Sequence, residues 1–382
     1  MEKKPRLKPD FGIETFVFMA FFALCFGVIG SRMGGTRMVQ TLMNSSHRLL
    51  IDVCFYIMAI AVLAGAMAGV FSEFGVIALI NRLLSRIMMP IYGLPGATSL
   101  GILNCYLSDN PSILPLAYED NFRQYFKTYQ LPALTNLGTS FGMGLIVTTA
   151  MMGLPVAGAV KGALLGNLGA VVGSVVSVRL MLHFTKAVYG TDETVRTKYT
   201  DSVPKNMRTI RDGTPGGRLI QSLLDGGRLG IDVGMAIIPG VLVICSLVLL
   251  LTNGPGPDGV YTGAANEGVR FLPWLGDKLS FVLRPLFGFS SAKAIAVPIT
   301  ALGSAGAALG VVSTMAVEGL VTGNDVAVFT AICMCWSGYL STHIAMMSAL
   351  GVPNLTGKAI FSHTVGGLCA GVAAHFFYMI LC

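Results

Sequence analysis

The chain has 382 residues, of which 53% are hydrophobic and 12% charged, and a mean hydropathy of +0.70. An average soluble domain carries roughly 25% charged residues, so this composition excludes a soluble enzyme and places the chain in a lipid bilayer. The net charge of +7 reads as the cationic excess of cytoplasmic loops, and no nucleic-acid partner is expected.

A spanning helix needs roughly 20 mostly apolar residues. Seven candidates lie near 12–29, 51–71, 131–152, 155–184, 231–252, 325–350 and 358–381. The first follows Lys3, Lys4, Arg6 and Lys8 and reads as an uncleaved anchor, because no small-x-small cleavage site follows its apolar run. Residues 74–90 have amphipathic helical spacing: Asn81, Arg82, Ser85 and Arg86 fall on one side, Phe74, Ile77, Leu84 and Ile87 on another. Such a helix lies in the membrane interface, and residues 272–286, with Asp277, Lys278 and Arg284, read as its counterpart. Two further apolar stretches, 97–117 and 292–313, are interrupted at their centres.

Landmarks recur in the same order. Arg48-Leu49-Leu50-Ile51-Asp52-Val53 returns as Arg228-Leu229-Gly230-Ile231-Asp232-Val233, and Pro90-Ile91-Tyr92-Gly93 as Pro285-Leu286-Phe287-Gly288. Ser140 and Lys161 return as Ser337 and Lys358. The expected organisation is an anchor and loop over 1–46, a first repeat over 47–184, a basic cytoplasmic linker over 185–227 and a second repeat over 228–382. If each interrupted stretch enters and leaves by one side, a repeat holds three crossings, and the second is inverted relative to the first. Charge agrees. With the N-terminus in the cytoplasm, Arg82, Arg86, Arg123, Lys127 and the cations of 185–228 lie inside, and the loop 253–270 with Asp258 and Glu267 lies outside. Arg32, Arg37 and Arg48 are discordant. The predicted fold is therefore an all-α polytopic membrane protein with inverted repeats, about seven transmembrane helices, two re-entrant hairpins and interfacial amphipathic helices. The hairpin 97–117 enters from the cytoplasm and 292–313 from outside.

The sharpest local signal is Asn104-Cys105-Tyr106-Leu107-Ser108-Asp109-Asn110-Pro111-Ser112 inside an apolar segment. A carboxylate at bilayer depth costs about 2.5–3.5 kcal/mol and normally faces a cavity or a partner. Pro111 removes a backbone donor and disfavours helix at Asn110, so free N–H and C=O groups are exposed for an anionic group and a cation. The competing reading is a helix cap in a short loop. The second interruption, Gly303-Ser304-Ala305-Gly306, is uncharged and suits close backbone approach.

The helices that follow carry Asn136, Thr139 and Ser140, and Ser337, Ser341, Thr342 and His343, with His363 further on. Hydroxyls of this kind also mediate helix packing. With Asn104, Ser108, Asp109, Asn110, Ser112 and Ser304 they form the candidate substrate and ion site. A carboxylate among hydroxyls suits Na+ near Asp109, whereas Asp109 paired with His343 or His363 suits H+. Lys161 and Lys358 lie near helix ends and read as snorkelling cations. The eight cysteines include no Cys-x-x-Cys and read as buried, reduced side chains.

Motifs for nucleotide hydrolysis are missing. Gly351-Val352-Pro353-Asn354-Leu355-Thr356-Gly357-Lys358-Ala359 ends in Ala where a phosphate-binding loop needs a hydroxyl. There is no His-Glu-x-x-His and no Gly-x-Ser-x-Gly, so no enzyme activity and no cofactor are expected.

Over residues 47–382 the chain resembles the Gate-domain, or nucleoside recognition domain, membrane proteins. That family includes the spore maturation proteins A and B and, more distantly, the concentrative nucleoside transporters. The resemblance rests on Gly93-Leu94-Pro95-Gly96-Ala97 leading into Ser108-Asp109-Asn110-Pro111, on Leu286-Phe287-Gly288-Phe289 leading into Gly303-Ser304-Ala305-Gly306, and on Ser337-Gly338-Tyr339-Leu340-Ser341-Thr342-His343. It implies inverted repeats with paired re-entrant hairpins and, in the transporters, a substrate held at the hairpin tips with Na+ or H+ coupling. Those transporters place glutamates around the ribose and base. Here Asp109 is the one acid that can stand in.

The function expected is secondary active transport of a small polar metabolite, with a nucleoside-like solute as one candidate, coupled to Na+ or H+. The protein would be multi-pass in the cell membrane, N-terminus inside, with the substrate and the bilayer as partners and a homo-oligomer compatible with the pattern. The alternative is a non-transporting membrane assembly protein of the sporulation kind.

Overall fold

The computed structural model describes residues 9–118, 123, 125–193, 195, 210–240, 242–243, 246–256 and 258–382, and at some helical positions, Ser341 among them, the backbone only. Lys3, Lys4, Arg6, Lys8, Arg196, Lys198, Lys205 and Arg208 lie outside the described residues.

All regular elements among the described residues are helical. Helix α1 (Ile13–Met33) ends where Gly34 takes φ 84°. At 1.5 Å per residue its 21 residues are long enough to cross hydrocarbon. Nearly all its apolar surface is uncovered, Phe16, Phe18 and Phe21 included, as expected of a lipid-facing anchor. Helix α2 (Gly35–Arg48) leads through a π-helical turn (Leu49–Cys54) into α3 (Phe55–Glu73). Gly75 and Gly93, both left-handed, bound the amphipathic α4 (Val76–Tyr92), where Arg82, Arg86, Leu79 and Leu83 are all exposed.

The first hairpin is α5 (Thr98–Leu107), a 3-10 turn (Asn110–Ile113) and α6 (Leu114–Tyr118). Then come α7 (Ala133–Thr139), α8 (Gly144–Met152) and the long α9 (Ala159–Tyr189). Helix α10 (Pro215–Gly240) and α11 (Ser246–Thr252) precede the loop 253–270. Beyond it, α12 (Phe271–Lys278) and α13 (Ser280–Phe287) form the amphipathic segment. The second hairpin is a 3-10 turn (Ala292–Ile295), α14 (Ala296–Gly303) and α15 (Ala305–Val317). Helices α16 (Gly323–Cys335), α17 (Tyr339–Ala349) and α18 (Thr356–Leu381) end the chain. After the hairpin, each half therefore runs as a broken helix followed by a long unbroken one.

Three expectations need correction. The stretches 131–152 and 325–350 are not continuous spans. The first breaks between Thr139 and Gly144, with Met143 at φ 56°; the second breaks at Trp336–Gly338, with Gly338 at φ 66°. The span expected at 231–252 begins at Pro215, inside the stretch read as linker, with α10 described as far as Gly240 and α11 from Ser246. Among the described residues three helices are long and apolar enough to cross a membrane alone, α1, α9 and the C-terminal Pro353–Leu381. A fourth candidate is α13 with Ala292–Gly303, bent by 82°.

Small residues set the packing. Gly173 and Gly366 abut so closely that a methyl on either would collide with the other's carbonyl, which locks α9 to α18. Gly65 and Gly226 do the same for α3 and α10. Such close backbone approach replaces the hydrophobic driving force that helices lack in lipid. Helix α16 is buried along its whole length and packs on both α9 and α18. Four cysteines, Cys54, Cys105, Cys333 and Cys335, are buried thiols; Cys382 is exposed. Lys161 donates to the Leu381 carbonyl at 2.6 Å, and Lys358 lies over the Phe184 ring.

Candidate functional site

The first hairpin turns at Ser108. Asp109 is extended (φ −143°, ψ 167°) and caps the following 3-10 turn, its Oδ1 accepting from Asn110 N at 2.7 Å. Pro111 fits there because the first residues of a helical turn need no donor. Asp109 makes no hydrogen bond to Ser304, His343 or His363. Its neighbour reaches the second half instead. Asn110 Nδ2 donates to the Ser337 carbonyl at 2.6 Å, and Ser337 Oγ donates back to Asn110 Oδ1 at 2.7 Å. Cys105 Sγ donates to the Asn110 carbonyl at 3.3 Å. The amide of Asn110 lies where a side chain on Gly142 would be, so the break between α7 and α8 makes room for the hairpin tip.

The second hairpin turns at Ser304, also extended, whose Oγ caps α15 by accepting from Ala307 N at 3.2 Å. Its tip meets the same break: Gly338 N donates to the Ala301 carbonyl at 2.9 Å. Both hairpin tips thus converge on Ser337-Gly338.

A buried polar network lies beside them. Asn136 Nδ2 donates to Ser177 Oγ and to the Ala359 carbonyl, both at 3.0 Å. Ser177 Oγ is 2.9 Å from His363 Nδ1, and His363 Nε2 meets the Cys335 carbonyl. His343 Nδ1 is 3.1 Å from the Tyr339 carbonyl, and the two imidazole centroids are 4.6 Å apart. Thr139 and Ser140 donate back to the Thr135 and Asn136 carbonyls, and Thr342 to the Gly338 carbonyl. These three hydroxyls are satisfied within their own helices or the adjoining break. The side chain of Ser341 lies outside the described residues.

Asn104, Ser108 and Ser112 line a cavity of about 360 Å³ between the first hairpin, α3 and α10. Arg211 stands in its wall, 2.8 Å from Glu73 Oε2 and 3.0 Å from Asp225 Oδ2. Arg218 is 3.5 Å from Glu73 Oε1.

The structure therefore joins Asn110 with Ser337 and Asn136 with His363, and groups Asn104, Ser108 and Ser112 at a cavity. Gly142, Ser177, Cys335 and Arg211 are participants that sequence reasoning missed. An apolar run with glycines offers no signal for Gly142. Ser177 and Arg211 are recognised through His363 and Glu73, which lie 186 and 138 positions away in the chain.

No family model and no curated protein matches the sequence. Solved structures of CNTnw, a concentrative nucleoside transporter, do match. Its inward-facing substrate-bound state superimposes with a TM-score of 0.51 at 15% identity, covering 97% of this chain and 87% of that one. Two variants in outward-facing states give 0.55 at 16% identity (96% and 85% covered) and 0.52 at 15% (96% and 86%). Identities of this size show the fold. The chain is an all-α polytopic membrane protein with the architecture of a concentrative nucleoside transporter.

Proposed function

We propose that this chain is a secondary active transporter of a small polar metabolite, with nucleosides the first class to test, driven by Na+ or H+. The observation that carries the reading is the convergence of both hairpin tips, through Asn110 and Ala301, on the broken segment Ser337-Gly338. Irregular backbone is tolerated at bilayer depth where it is buried in protein or lines a cavity. In secondary transporters such broken helices hold substrate and ion between repeats that rock against one another. The fold shared with a transporter captured in inward- and outward-facing states supports this.

The same reading makes 47–184 and 228–382 inverted copies of a Gate-type unit. The reciprocal glycine contacts of α3 with α10 and of α9 with α18 suit a pseudo-two-fold arrangement. It also makes the protein a non-enzymatic, multi-pass component of the cell membrane with its N-terminus in the cytoplasm. The candidate site is the cavity at Asn104, Ser108 and Ser112 together with Asp109, whose carboxylate suits Na+.

Purified protein in proteoliposomes should accumulate at least one radiolabelled nucleoside, base or similar solute when a Na+ or pH gradient is imposed. Accumulation should stop when the gradient is dissipated. Asp109→Asn preserves size and can still cap the turn, so it should remain folded while losing binding or coupling. The reading fails if no solute in a broad panel responds to either gradient.

A further inference from the structure

We infer that Nε2 of His343 is the atom that takes up the coupling proton; this rests on the transport reading above and assigns the ion to a residue. Each imidazole faces a backbone carbonyl, His343 that of Tyr339 and His363 that of Cys335. A carbonyl can only accept, so His343 Nδ1, 3.1 Å from the Tyr339 carbonyl, carries a hydrogen. In a neutral ring, Nε2 is then a bare lone pair. It is fully buried and has no hydrogen-bond partner among the described residues.

His363 is the opposite case. Its Nε2 faces the Cys335 carbonyl and carries the hydrogen, so Nδ1 accepts from Ser177 Oγ, which accepts in turn from Asn136 Nδ2. Both nitrogens of His363 are satisfied in the neutral form, and the pair holds one vacant base, on His343.

A proton already resting there would leave an N–H donor and a charge buried with no acceptor. The groups that face it are neutral. They are His363 from α18, whose ring is 4.6 Å away, and Tyr339 from its own helix. The other elements packed on α17 include α7 and α14, which contain no titratable residue, and the first hairpin's 3-10 turn, whose cap Asp109 is the carboxylate of that turn. In this conformation His343 is therefore the unloaded base. Like charges on rings this close oppose each other, so the pair takes one proton, not two.

Loading requires an acceptor or water at Nε2, hence movement around α17. That helix starts at Gly338, the residue that the second hairpin tip holds, next to Ser337, which the first tip holds. Protonation and opening of the tips thus act on one element. The step balances simply: imidazole gains H+ at Nε2 from water on one side and returns it on the other.

Two measurements test this. In lipid nanodiscs, 15N spectra of the five histidines should contain one neutral ring of the Nδ1–H tautomer, in through-space contact with a second ring, that becomes protonated as the pH is lowered. That signal should be missing from His343→Gln and His343→Asn. In proteoliposomes, uridine uptake driven by a pH gradient should be lost in both variants. The inference is overturned if the ring is the Nε2–H tautomer or never titrates, or if either variant keeps gradient-driven uptake. If wild-type protein moves no uridine, the transport reading is weakened, and the nanodisc spectra still decide whether His343 binds a proton.

Discussion

Asn110 and Ser337, 227 positions apart, exchange two hydrogen bonds in which the amide donates to a carbonyl and accepts from a hydroxyl. A side chain with both a donor and an acceptor is needed for this. The pair ties the tip of the first hairpin to the broken helix of the second half, and it does so through the residue next to the carboxylate.

Asn110→Ala and Ser337→Ala should each destabilise the protein by about 1–3 kcal/mol, because each leaves a buried polar partner unpaired. The double variant should cost less than the sum, with a coupling of roughly 0.5–3 kcal/mol. Asn110→Asp, which keeps the acceptor and removes the donor, should resemble Asn110→Ala. Thermal unfolding in nanodiscs reads all four. Strict additivity would mean that the two residues do not act as a pair.

Gly142→Ala should be damaging although it adds a single methyl to an apolar helix break. The new carbon would occupy the space of the Asn110 amide, and overpacking of this kind costs about 1–3 kcal/mol. Because the clash is with a side chain, Asn110→Ala in the same molecule should recover part of the loss. A Gly142→Ala protein as stable and as active as wild type would contradict the tip packing described here.

These two predictions show where the sequence was informative. The hairpin breaks were legible because Asp109 and Pro111 are costly in an apolar run and because Gly303-Ser304-Ala305-Gly306 is too flexible for an uninterrupted helix. The long helices α9 and α18 were legible from their length. The breaks before Gly144 and at Gly338 were not, since a glycine in a membrane segment reads equally well as a packing residue; what forces these breaks is tertiary, the arrival of Asn110 against Gly142 and of Ala301 against Gly338. For the same reason the charge drew attention to Asp109, while the bond between the halves is made by Asn110. His343 and His363 stood out as intramembrane ionisable groups, but their roles depend on which carbonyl each ring faces.

Glu267 gives the loop 253–270 a defined acid sensitivity. Its carboxylate, 5% exposed, accepts from Thr262 N, Thr262 Oγ1 and Gly263 N at 2.7–3.0 Å. Burial alone would raise its pKa, but these donors outweigh that and hold it below the usual carboxylate value. A lowered native pKa means stability that is present above the unfolded value, roughly 4.3, and is lost as pH falls through the native value. The loop leans on α2, where Asn44 Nδ2 donates to the Gly263 carbonyl and Ser45 Oγ accepts from Asn266 N. Proteolysis of the loop should therefore accelerate as the pH falls below the ordinary carboxylate range. In Glu267→Gln it should already be fast at neutral pH and change little with acid. A wild-type loop whose cleavage ignores pH would remove this role from Glu267.

Arg211 should control access to the cavity at Asn104, Ser108 and Ser112. Its guanidinium spans Glu73 at the end of α3 and Asp225 in α10, the two helices that form the cavity wall opposite the hairpin. Glu73 is almost fully buried while Asp225 is mostly exposed, so the Asp225 contact is the one that salt screens. Ser108→Cys introduces a thiol in the cavity lining, and its alkylation rate reports how open the cavity is. Arg211→Ala in that background should speed alkylation. Asp225→Asn should do so less, because the Glu73 contact remains, and high ionic strength should speed the parent Ser108→Cys protein but not the Arg211→Ala form. If Arg211→Ala leaves the rate unchanged at every salt concentration, the arginine closes nothing, and the Glu73–Arg211–Asp225 bridge joins α3 to α10 without governing entry.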